Sequence, residues 1–159
     1  MPIHWLDADV YIQAKNGPYK FERVPGFWEF LAKQFDEGNI KSLKKVYGEL
    51  TEGSDILASW CRRMRPRGIC VTADKAVQEC YGRIANYVHT EYKPHQANEF
   101  LRGGDGWVIA HAMATGGVVV AQESPKSKKG RIKVPNICRV FGVKCIGTYD
   151  MLDRLDFTL

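Results

Sequence analysis

The chain has 159 residues, 45% of them hydrophobic and 26% charged, with 23 Lys and Arg against 18 Asp and Glu for a net charge of +5. This length and balance suit one globular domain, residues 1–159, with a core of its own, and exclude an intrinsically disordered chain. No run approaches the roughly 20 apolar residues that a membrane-spanning helix needs, so no membrane partner is expected. The opening Met1-Pro2-Ile3-His4-Trp5 lacks the basic-then-apolar layout of a secretion signal, which makes the cytoplasm the expected location. Five cysteines, an odd number without a Cys-x-x-Cys pair, argue for reduced thiols packed as small hydrophobes rather than for disulfides or zinc.

In chain order, residues 3–6 read as a first strand that runs at once into a polar turn, Asp7-Ala8-Asp9. Residues 13–20, with Asn16-Gly17-Pro18, read as a loop. Pro25-Gly26 opens a helix, since proline is tolerated in a first turn, and Phe27, Phe30, Leu31 and Phe35 recur at helical spacing until Gly38-Asn39. Residues 40–50 contain a second helical stretch, with Leu43, Val46 and Leu50 on one side, and residues 55–64 read as a third. The clearest helix spans 74–89: Val77, Cys80, Tyr81, Ile84 and Val88 share a stripe, and Thr72 is placed to cap it. A short helix follows Pro94. Gly103-Gly104-Asp105 starts another, which carries Val108, Ile109, Ala112 and Met113 and stops at Gly116-Gly117. Val118-Val119-Val120-Ala121 is a β-branched run typical of a strand covered on both faces. Residues 123–131 are polar and basic, hence a loop; residues 143–146 form a last strand, and Thr148 caps a terminal helix. Buried strands interleaved with helices predict an α/β domain with helices on both sides of a mostly parallel sheet.

Four acids fall where acids are uncomfortable. Asp7 ends the first strand and Glu123 lies just beyond the 118–121 strand, so both are placed at the C-terminal sheet edge, where open α/β sheets form their ligand crevice. Asp105 shares a helical stripe with Val108, Ile109 and Ala112, and Glu49 lies beside Val46 and Leu50, so both are expected to lean toward the sheet. Inward carboxylates are costly unless protonated, paired or bound to a cation, and oxygen-only ligands favour Mg²⁺ or Mn²⁺ over zinc. Each acid also has a plainly structural reading: a turn for Asp7 and Asp9, a helix cap for Asp105, a solvated surface for Glu49 and Glu123.

The pattern resembles the PIN domain, the fold of VapC-type toxin ribonucleases. The matching stretches are Leu6-Asp7-Ala8-Asp9-Val10-Tyr11-Ile12, Val46-Tyr47-Gly48-Glu49-Leu50, Gly104-Asp105-Gly106-Trp107-Val108-Ile109-Ala110-His111-Ala112 and Val118-Val119-Val120-Ala121-Gln122-Glu123. Asp9 stands where that family more often has Asn or Ser, and Ala121 with Glu123 replaces a more usual Thr-x-Asp. The resemblance implies a PIN-like three-layer α/β/α fold and a metal-dependent endoribonuclease, the toxin of a toxin–antitoxin pair, with a cognate antitoxin protein and a homodimer as partners. It also implies Asp7, Glu49, Asp105 and Glu123 as the carboxylates that hold Mg²⁺ or Mn²⁺ for RNA hydrolysis, with Asp9 behind them.

RNA would then need cations around the acidic ring, and Lys126, Lys128, Lys129, Arg131 and Lys133 follow the fourth acid directly. The same loop reads equally as a solvated basic segment. Arg62, Arg63, Arg65 and Arg67 form a second basic cluster suited to a partner protein, and Tyr11 and Tyr19 are candidates for base stacking or for packing. The four histidines show no metal spacing. Two other readings stand beside the nuclease: a non-catalytic PIN-like module that binds nucleic acid or protein, and a nucleotide-binding protein. The latter lacks a Gly-x-Gly-x-x-Gly or phosphate-loop lysine after the first strand.

Overall fold

The computed structural model describes residues 2–122 and 130–158. Strands β1 (His4–Leu6), β2 (Ile40–Lys41), β3 (Val118–Val120) and β4 (Lys144–Ile146) form one sheet in the order β2-β1-β3-β4. Every pairing is parallel: His4 lies opposite both Ile40 and Val118, and Val119 opposite Cys145. The helices are α1 (Ala8–Asn16), α2 (Pro25–Asp36), α3 (Lys44–Leu50), α4 (Ile56–Met64), α5 (Lys75–Glu91), α6 (Pro94–Arg102), α7 (Asp105–Thr115), α8 (Val134–Val140) and α9 (Thr148–Arg154), with a 3₁₀ turn at Arg65–Arg67. The chain leaves β1 toward β2 on one side and reaches β3 on the other. Right-handed crossovers therefore place α2 on one face of the sheet and α7 with α8 on the opposite face. The contacts agree: α2 packs on β2, α7 on β1 and β3, and α8 on β4 and α7. The result is the expected three-layer α/β/α arrangement.

The two central strands are buried along their whole length, which is why β3 can be an unbroken valine run. Beneath α2 the core is aromatic: Tyr19 stacks on Phe27 at 4.2 Å, Phe21 on Trp28 at 3.9 Å, and Trp60 meets Trp28 edge-on at 5.0 Å. The turn from α7 into β3 needs two glycines for different reasons. Gly116 takes a left-handed conformation with φ of 65°, and a Cβ on Gly117 would stand 2.6 Å from the Ile3 carbonyl oxygen.

The chain departs from the sequence expectations in five places. Residues 8–16 are helical rather than a turn and loop, because Asp7 caps the segment and Val10, Tyr11 and Ala14 bury one face. Residues 40 and 41 form a short strand that the sequence pattern did not mark, ahead of the helical stripe that begins at Leu43. Asp74, not Thr72, caps α5, its side chain accepting from the Val77 N–H at 2.9 Å. Residues 134–140 form α8, with Pro135 in its first turn. Gly147 precedes α9, so Thr148 is its first residue and not its cap. None of the five cysteines is in a disulfide; Cys61 and Cys138 are buried, the rest half-buried.

Candidate active site

Connections leave β1 in opposite directions, so the crevice of this sheet opens at the C-terminal ends of β1 and β3. Asp7 is the residue that follows β1. Its backbone N–H donates to the Val120 carbonyl at 3.0 Å, which makes it a rung of the sheet. Its carboxylate accepts from the Ala8 N–H at 2.8 Å and so caps α1. The strand end beneath it is fixed by buried hydrogen bonds: the Tyr11 hydroxyl meets Ser42 Oγ at 2.6 Å, and Ser42 Oγ donates to the Leu6 carbonyl at 2.8 Å. Asp7 is thus held on rigid backbone and is only 5% exposed.

Asp105 is the first residue of α7, and its side chain is 22% exposed. Glu49, on α3, is tied to the entrance of α7, because its Oε1 accepts from the Gly104 N–H at 3.0 Å. Gly104 leaves this approach open; a Cβ there would lie 3.3 Å from Val46 and 3.5 Å from Glu49 Oε1. Asp9 sits exposed in the first turn of α1. These acids sense one another. Burial, and next the charge of Asp105, push the Asp7 carboxyl well above the usual carboxylate range; Asp9 and Glu49 add to the rise, and the Ala8 N–H opposes it. Burial also raises Glu49, against the Gly104 N–H and Lys45, with Asp9 and Glu52 adding charge. Asp9 is raised by burial and lowered by Arg131.

One expectation is corrected. Glu49 does not lean into the interior; most of its side chain stays exposed and only Oε1 is engaged, because α3 is short and buries Val46 and Leu50 instead. Of the cations expected around the acids, Arg131 places a guanidinium nitrogen 3.7 Å from the Asp105 carboxylate. Lys133 is exposed just before α8. Glu123, Lys126, Lys128 and Lys129 lie outside the described residues.

Among the described residues no three His, Cys, Asp or Glu side chains form a ready-made metal cage. The donor chemistry nevertheless fits a hard divalent cation, since Mg²⁺ keeps several waters and is commonly bound through one or two carboxylates. Asp7 and Asp105 could hold such an ion, and the repulsion that raises Asp7 is what it would relieve.

Other sequence candidates find structural work. Tyr11 is fully buried and Tyr19 is stacked on Phe27, so their aromatic rings are committed to packing. Arg62 donates to the Thr51 and Gly53 carbonyls, Arg65 lies over the Tyr47 ring at 5.7 Å, and Arg67 pairs with Asp36. That cluster is therefore mostly engaged within the chain. Sequence reasoning missed a cavity of about 450 Å³ between α3 and α7, walled in part by Trp107, His111, Lys44 and Lys45, with Glu49 at its border. His111 is 2% exposed, and burial pushes its imidazole pKa down to about 4, Asp74 pulling the other way. The readable signal was Trp107 and His111 one turn apart on the helix that begins with Asp105.

Residues 4–159 match the sequence profile of a family described as "Domain of unknown function (DUF4411)". No curated protein sequence matches the chain. Among solved structures the chain is similar to VapBC2 from Rickettsia felis bound to a DNA fragment from their promoter. The two share 14% sequence identity and a TM-score of 0.57, over 91% of this chain and 98% of that one. At that identity the likeness concerns the fold, which is PIN-like.

Proposed function

The chain belongs to the DUF4411 family, and from that premise and the carboxylates gathered at the switch point we propose that it is a divalent-metal-dependent endoribonuclease, the toxin of a toxin–antitoxin pair. The observation that carries this reading is Asp7, a carboxylate buried at the end of the central strand with Asp105, Asp9 and Glu49 all raising the cost of its charge. A fold that needed only a helix cap there would be better served by Asn or Ser.

Asp7 and Asp105 are assigned to hold Mg²⁺ or Mn²⁺, and Glu123 to complete the ring from beyond β3. Bound there, the cation supplies activation of a water for in-line attack on phosphorus and neutralises charge on the leaving oxygen. Glu49, fixed by the Gly104 N–H, orients the attacking water, and Asp9 adjusts the charge at the rim. Arg131 releases Asp105 and joins Lys126, Lys128, Lys129 and Lys133 in gripping phosphates. The similarity to VapBC2 on promoter DNA supports a cognate antitoxin as partner; a homodimer is proposed on the PIN resemblance alone.

The direct test is cleavage of RNA by the purified protein with Mn²⁺ or Mg²⁺. Chelator should abolish it, and Asp7→Asn and Asp105→Asn should each lower it about a hundredfold or more, in line with losses from removed transition-state stabilisers. Cleavage that persists in chelator would overturn the reading. A second reading, a PIN-like module that binds RNA or protein without cutting, is favoured by the lack of a ready-made three-group cage among the described residues. It predicts RNA binding indifferent to Asp105→Asn and no growth arrest on expression.

A further inference from the structure

We propose that the cavity between α3 and α7 is a nucleobase-binding subsite that seats one base of single-stranded RNA beside the acidic cluster. The inference rests on the nuclease reading for its biological role but on separate residues for its chemistry. The volume of about 450 Å³ lies within the range of about 300–1,000 Å³ typical of small-ligand sites, which are mostly apolar with a few converging polar groups.

Leu43, Val71 and Ala73 supply apolar wall, and Trp107 adds an aromatic one. The indole plane is fixed from behind, where Tyr81 stacks on it at 3.8 Å and 6°. Tyr81 in turn donates from its hydroxyl to the Leu101 carbonyl. A planar heterocycle suits such a wall, because stacking is available to every base. Inside the cavity stands His111, nine-tenths buried or more, with no hydrogen bond to its imidazole among the described residues. A buried neutral imidazole presents one donor and one acceptor, which is what the polar edge of a base requires. Lys44, Lys45 and Glu52 are exposed lining residues, and the two lysines supply the positive charge that a phosphate flanking that base would meet. Glu49 borders both this cavity and the acidic cluster, so a seated base belongs to a nucleotide next to the phosphodiester to be cut. A purely apolar ligand would leave the imidazole and both lysines unused, and a free phosphate would leave the apolar walls unused.

Gly48 gives a clean way to close the site. It lines the cavity, and a Cβ added to it meets nothing within 4 Å. Gly48→Leu therefore fills space without a backbone clash and removes a helix-weakening glycine. Gly82→Leu, on the exposed side of α5 and equally unobstructed, is the control. The experiment titrates metal-free protein in chelator with AMP, GMP, CMP, UMP and a short single-stranded oligoribonucleotide, following the Trp107 indole N–H by NMR. The expected result is a saturable shift with at least one nucleotide and tighter binding of the oligoribonucleotide. Gly48→Leu should weaken both tenfold or more, while Gly82→Leu binds as the wild type does. Absence of any saturable shift, or binding by Gly48→Leu equal to wild type, overturns the proposal and leaves the cavity to a partner's side chain. Mononucleotide binding without oligoribonucleotide binding overturns it as an RNA subsite and identifies a free-nucleotide site. Base binding in a protein that cuts no RNA sinks the nuclease reading alone.

Discussion

Asp7 is where the fold and the proposed chemistry conflict most directly. Its carboxyl is raised above the usual range, so the folded chain holds this proton to higher pH than the unfolded chain does. Its contribution to stability is therefore complete below the unfolded value of about 3.9 and is lost as pH rises through the folded value. Above that folded value, without a cation, ionised Asp7 weighs against the fold. Asp7→Asn keeps an acceptor for the Ala8 N–H, so the metal-free variant should gain stability over wild type as pH rises, with the difference closing toward pH 4. Urea unfolding at stepped pH measures this, and a variant less stable throughout would refute it. Mn²⁺ should raise the melting temperature of the wild type and not of Asp7→Asn. Arg131, 3.7 Å from Asp105, would compete with the proposed ion for that carboxylate. Its side chain is half exposed, so screening limits the effect; Arg131→Gln should tighten Mn²⁺ binding only several-fold by calorimetry, corresponding to about 1 kcal/mol. Unchanged affinity would remove Arg131 from the site.

At the level of elements, the end of β1 depends on a side chain from outside it. Ser42→Ala would leave the Tyr11 hydroxyl and the Leu6 carbonyl without their buried partner, so a loss of about 1–3 kcal/mol is expected in chemical denaturation. Elements with a strong period were legible in the sequence: α2 and α5 through their apolar stripes, and β3 through its valines. The weak ones were not. In α1 the exposed Ile12 and the polar Gln13 blur the stripe set by Val10, Tyr11 and Ala14, and Asp7-Ala8-Asp9 has the composition of a turn as much as of a helix start. Strand β2 has two residues, too few for any alternation to register. Asp7 and Asp105 were legible as candidates because an acid after a buried strand and an acid on an apolar helix stripe both contradict their surroundings. The exposure of Glu49, the Arg131–Asp105 pair and the cavity were not, since each depends on how segments distant in the chain pack.

For the molecule as a whole, acid should be felt first through His111. Its folded pKa, pushed down to about 4, lies below the unfolded value of about 6.5. The unfolded chain therefore takes up the proton first, and stability present above pH 6.5 is lost as pH falls toward 4, by about 3 kcal/mol if no other group intervenes. Asp7 works in the opposite sense, its contribution falling as pH rises. His111→Gln should flatten the slope between pH 6.5 and 4.5 in urea titrations, and an unchanged slope would show that the imidazole is not its source. The rung from the Asp7 N–H to the Val120 carbonyl has a kinetic consequence. That hydrogen can be replaced by deuterium only when β1 and β3 separate, and these are the two inner strands of the sheet. The amide of the principal acid should therefore sit among the slowest in the protein, exchanging by rupture of the whole domain instead of by local fluctuation.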